Sequence, residues 1–156
     1  MIPTVELIYN YDYAKRLYRG DENFEDVWRR IIGLGADFEK IYNEYIEHVL
    51  VAVEKYSGFA WEENADAIFP IYLAEINSSF VHPLTLAANE DKEVMLYDLI
   101  YQLSHRNMFC GFKTNELQYK CLELVTDYVL KNLNVKKDEI KDEWNLENKT
   151  IKEYLN

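Results

Sequence analysis

The stretch Leu99-Ile100-Tyr101-Gln102-Leu103-Ser104-His105-Arg106-Asn107, LIYQLSHRN, decides how the rest of the chain is read. With Val94, Met95, Leu96 and Met108, its apolar residues cover most of the circumference of a helix, so the helix is expected to be buried on several sides. Asp98, Gln102 and Arg106 fall four apart on one polar stripe. Tyr97, Tyr101, Ser104, His105 and Met108 line a second, semi-polar face. Asp91 is placed to cap the start, and residues 109–113, which include Gly111, to end the helix.

Two short segments precede this helix, AIFPIYLAEI (67–76) and SSFVHPLTLAA (78–88), both rich in β-branched and aromatic residues. They are expected to form adjacent strands, a hairpin or edge pair packed on the helix. Pro70 and Pro83 cannot donate a ladder hydrogen bond, which puts each near an edge or a strand end and makes His82 an edge-strand residue. After the helix, Leu117, Cys121, Leu124, Val125 and Tyr128 predict a second helix over 114–132. The charged tail 135–156 carries isolated Trp144, Leu146, Ile151 and Leu155, and is expected to dock loosely or fold back as a short helix.

On the N-terminal side, Phe38, Ile41, Tyr42, Tyr45, Ile46, Val49, Leu50 and Val53 predict an amphipathic helix over 37–56. Gly33-Leu34-Gly35 is expected to separate it from a short helix capped by Asn23. The first segment reads as a helix from Pro3 to Gly20, although Val5, Leu7, Tyr9, Tyr11 and Tyr13 also alternate as a strand would. Glu44 and His48 are four apart on the long helix, but two residues cannot close a metal site. The fold class expected is α+β: N-terminal helices, a small sheet with an edge strand, a buried helix and a following helix, in one domain spanning 1–156.

The 156 residues are 49% hydrophobic and 15% aromatic, enough for a real core. With 28 acidic against 17 basic residues the net charge is −11. That balance argues against nucleic acid and anionic membrane as partners, because affinity for phosphates rests on Lys and Arg. Cys110 and Cys121 lack the spacing of a zinc knuckle and are expected to be reduced thiols. The first twenty residues lack a basic flank and apolar run, so no signal peptide is read, and no window approaches a membrane span. A cytoplasmic protein is expected.

From Phe69 to about Leu130 the chain resembles a zincin metallopeptidase of the gluzincin branch in its smallest single-domain form, with a zincin-like core over about 67–132. The likeness rests on Phe69-Pro70-Ile71-Tyr72-Leu73, His82-Pro83-Leu84-Thr85-Leu86, the LIYQLSHRN helix and Glu123-Leu124-Val125-Thr126-Asp127, in that order. In that family the second strand is an edge along which substrate lies, and the buried helix carries H-E-x-x-H. A glutamate one helix downstream is the third zinc ligand, followed four residues later by an aspartate that supports the first histidine. The resemblance therefore implies His105 and Glu123 as residual metal ligands, Asp127 as the supporting carboxylate, and His82 and Leu84 as a peptide-binding edge.

The departures set the functional expectation. Tyr101 stands where the first zinc histidine should be, and a phenol must lose a proton of pKa ~10 before it ligates well. Gln102 stands where the general-base glutamate should be, and an amide cannot accept the proton from water. Two remaining ligands do not make a catalytic zinc site, so zinc should bind at most weakly and the peptidase reaction should be lost. The chain is expected to be no enzyme but a degenerate metallopeptidase homologue, a binding or regulatory module for a protein or peptide partner through edge-strand pairing. The alternative is an unrelated small acidic, mainly helical interaction module, in which 67–88 would fail to form strands. An enzyme using His105 otherwise lacks a visible nucleophile with a paired base.

Overall fold

The structure, a computed structural model, describes residues 2–61, 68–109, 114–136, 139–140 and 144–156. Ala67, Cys110 and Gly111 lie outside the described residues. The chain opens with strand β1 (Thr4–Ile8) and helix α1 (Tyr11–Leu17), followed by α2 (Phe24–Ser57). The strands β2 (Ile68–Ala74), β3 (Phe80–Val81) and β4 (Leu84–Ala87) lead to α3 (Lys92–Met108), α4 (Glu116–Asn132) and α5 (Ile151–Leu155). The mixed α+β class is as the sequence predicts, and 68–87 supplies three of the strands; the two expected segments do pair, but in parallel through β2 and β4, and the antiparallel pair is β3–β4, both from the second segment.

Among the described residues the sheet has four strands in the order β1-β2-β4-β3. β1 and β4 flank β2 in parallel, and β3 turns back antiparallel onto β4, with Phe80 opposite Thr85 and Val81 opposite Leu84. Pro70 is tolerated in β2 because β4 pairs only with Tyr72–Ala74, leaving Pro70 flanked by β1 alone. The connection from β3 to β4 contains a cis His82–Pro83 peptide.

Three further expectations are corrected. The first helix does not begin at Pro3: the alternating reading holds through Ile8, and Asn10 then caps α1 by accepting from the Tyr13 amide. Gly33-Leu34-Gly35 does not break α2, which runs unbroken for 34 residues. Gly35 faces inward, and a Cβ there would lie 2.6 Å from the Tyr9 ring and 2.7 Å from Leu73 Cδ1. Its lack of a side chain lets α2 pack directly against Tyr9 and the β2 residue Leu73. Leu84 is not on an edge: β4 lies between β2 and β3, and Leu84 is buried.

One apolar cluster joins α2, the sheet, α3 and α4, with Phe38, Ile71, Leu86, Leu99, Leu103 and Val125 at its centre. The tail folds back as the short helix the sequence allows, and it docks firmly. Leu146 and Ile151 enter the same cluster, Tyr56 Oη donates to Glu147 Oε1 at 2.9 Å, and Trp144 stacks on Tyr154 at 4.6 Å. No described helix is long and apolar enough to cross a membrane.

Candidate functional site: a cleft between an edge strand and two helices

Most polar groups of LIYQLSHRN have structural partners. Ser104 Oγ is buried and donates to the Ile100 carbonyl at 2.7 Å, a back-bond within α3. The Arg106 guanidinium lies over the Phe69 ring at 4.0 Å. Asn107 binds the end of α2 from two sides: its Oδ1 accepts from Ser57 Oγ at 2.6 Å, and its Nδ2 donates to the Phe59 carbonyl at 3.0 Å.

The polar stripe of α3 faces the edge of the sheet. Ser79, just before β3, is the hub. Its hydroxyl donates to Asp98 Oδ2 at 2.9 Å and accepts from the Ala87 amide at 2.8 Å. Its carbonyl accepts from Gln102 Nε2 at 3.3 Å. Gln102 is therefore a buried tie between α3 and the edge. Burial pushes the Asp98 carboxyl above its usual range, opposed by the Ser79 hydrogen bond.

Tyr101 and His105 remain, and they look into one cleft of about 360 Å³, lined also by Ser79, Val81, His82, Gln102 and Tyr119. The two are four apart, so they share one helix face. His82 and His105 meet edge to face with ring centres 6.2 Å apart, and Thr114 Oγ1 lies 3.4 Å from His105 Nε2. Desolvation, with the nearby His82, lowers the His105 pKa, so the imidazole is neutral at pH 7. The Tyr101 phenol is pushed up to about 12 by burial and then by the Glu123 charge, so it stays protonated.

α4 runs back along α3: the charge of Asp127 is felt at Tyr97, that of Glu123 at Tyr101, and Thr114 reaches His105. Glu123 is exposed and, with Asp127, lines a separate cleft of about 230 Å³. Asp127 Oδ1 accepts from Lys136 Nζ at 2.7 Å and so points toward the tail. The structure thus brings Tyr101, Gln102, His105 and His82 together, sets Glu123 beside them, and turns Asp127 away. Among the described residues no group of three His, Cys, Asp or Glu side chains could hold a metal ion. The residues present do not fit a catalytic zinc: the cleft offers the imidazoles of His82 and His105 and a protonated phenol, while the Glu123 carboxylate lines the other cleft.

Sequence reasoning missed Ser79, Thr114 and Tyr119. Ser79 reads as turn chemistry, and only the folded edge makes it a hub. Tyr119 carries no local signal, because only the packing of α4 on α3 brings it to the cleft. No protein-family model, curated protein or solved structure matches this chain.

Proposed function

We propose that the chain is a catalytically degenerate zincin-type metallopeptidase homologue, acting as a non-catalytic binding or regulatory module for an extended segment of a protein partner. The observation that carries this reading is the shared cleft: Tyr101 and His105, at the two histidine positions of the worn motif, face the edge strand that would hold a peptide. β3 pairs with β4 on one side only, which leaves the other side for main-chain hydrogen bonds.

The local chemistry suits binding without cleavage. A neutral amide already engaged with Ser79 stands at the general-base position, and the phenol beside it is protonated. A short edge gives few main-chain bonds, so affinity should be modest, with Kd on the order of 10–1000 µM. Leu84 no longer belongs to the binding edge, which is Phe80–Val81; His82, expected on the edge strand, lies in the turn that follows it. The mainly helical alternative expected 67–88 without strands, and those strands are present.

The test is amide NMR of the full chain titrated with extended peptides, with cleavage followed by mass spectrometry in the same tubes. Intact peptides that shift Phe80, Val81 and His82 amides saturably are the expected result. Cleavage at a rate set by protein concentration, or shifts confined to other surfaces, would overturn the reading.

A further inference from the structure

Beside the cleft, α3 and α4 form a corner that the edge-strand reading leaves unused. Tyr97 and Tyr101 stack with ring centres 6.2 Å apart and planes 22° apart. Tyr119 stands next to them on α4, half exposed, and its phenol is close enough to act on Tyr101. Glu123 follows one turn later on α4, exposed.

The cations nearest this carboxylate are committed elsewhere. Lys136 pairs with Asp127 at 2.7 Å, and Lys120 lies over the Trp144 ring at 5.2 Å. Among the described residues no Lys or Arg forms an ion pair with Glu123. Aromatic faces carry negative potential, and a carboxylate at their rim adds to it. Three phenols and one uncommitted carboxylate, on a chain of net charge −11, make a corner complementary to a cation.

We propose that this corner takes the basic side chain of a bound segment, the guanidinium of an arginine or the ammonium of a lysine, seated against Tyr97 and Tyr101 with Glu123 at its rim. This rests on the peptide-holding reading, and names the residue class that the segment presents. Burial raises both phenols, with Asp127 and Glu123 adding at Tyr97 and Glu123 at Tyr101, so both rings stay neutral at pH 7 and can serve as cation–π faces. Arginine fits better than lysine, because a planar guanidinium can stack on a ring and hydrogen-bond a carboxylate at once.

The experiment has two arms. In the first, Nα-acetyl-arginine methylamide and its citrulline counterpart, which keeps the shape and loses the charge, are titrated while ring signals of Tyr97 and Tyr101 are followed. Saturable shifts are expected with arginine, about five- to tenfold weaker binding with citrulline, and loss of the preference in Glu123→Gln and in high salt. Equal response to citrulline, a preference unchanged in Glu123→Gln, or no response up to about 50 mM arginine derivative overturns the corner. Glu123 is exposed, so the variant should fold as the parent does, and its thermal melt verifies that. In the second arm, two ten-residue peptides differ only in a central arginine or citrulline. If both bind equally along β3, the corner fails and the peptide reading stands; if the arginine peptide shifts the Tyr97 and Tyr101 rings and leaves the Phe80 and Val81 amides unmoved, the peptide reading fails and the corner stands.

Discussion

Ser79 shows how much of this site depends on single polar groups. Its hydroxyl joins Asp98 to the Ala87 amide, and its carbonyl takes the Gln102 amide. Asp98 is half-buried, and its carboxyl lies above the usual range. A carboxyl raised in the folded state stabilises below its unfolded pKa, and that contribution is lost as pH rises through the folded pKa. Asp98→Asn keeps an acceptor for Ser79 and removes the charge. It should therefore be more stable than the parent at pH 7, with the gap closing toward pH 3, measured by urea unfolding at both values. A gap that widens on acidification would mean that the ionised Asp98 stabilises the fold. Gln102→Glu should move the other way. It loses the donor to Ser79 and sets a carboxylate against a carbonyl, costing about 1–3 kcal/mol at pH 7 in the same assay.

At the scale of elements, α2 carries the lesson in its two glycines. A Cβ at Gly33 would meet nothing within 4 Å, whereas at Gly35 it would strike Tyr9 and Leu73. Gly33→Ala should stabilise by about 0.5–1 kcal/mol through helix propensity, and Gly35→Ala should destabilise by about 1–3 kcal/mol. Thermal or urea denaturation of both separates the two. The GLG signal is local, and it reads as a break because the sequence does not reveal that Tyr9 and Leu73 press on one of its glycines. Where periodicity is strong and caps are local, the sequence was legible: Asp91 caps α3, Asn115 and Gln118 form a capping box on α4, and Phe109 ends α3. The order of strands was not, because pairing β4 between β2 and β3 depends on contacts far apart in the chain. Hence Leu84 looked like an edge residue when Phe80 and Val81 are the edge. Within the site, Tyr101 and His105 were placed on one face by their spacing alone, while the partners of Gln102, Arg106 and Asn107 came from elements whose placement no local pattern gives.

At the scale of the whole molecule, distant segments share one core, and the tail is part of it. Ile151 is fully buried, and Thr150 Oγ1 would meet a Cβ at Gly58, where α2 ends at a positive φ of 79°. Ile151→Ala should cost about 2–4 kcal/mol, read as a shifted midpoint in one cooperative urea transition. A near-neutral result would show that the tail adds little to the core. The pairing of α3 with α4 likewise bears on the central claim that LIYQLSHRN is a worn zinc helix. Tyr101 is near enough to Glu123 to feel its charge, and it shares a helix face with His105. Tyr101→His would then offer two imidazoles from α3 and a carboxylate from α4, a set that suits tetrahedral zinc with water as the fourth ligand. The most direct measurement is calorimetric titration of zinc into Tyr101→His beside the parent. The account expects one zinc per chain, bound at least about a hundredfold more tightly than by the parent, with a zinc-dependent rise in Tm that follows that affinity. Equal zinc affinity in the two proteins, or stoichiometric tight zinc in the parent, would contradict it.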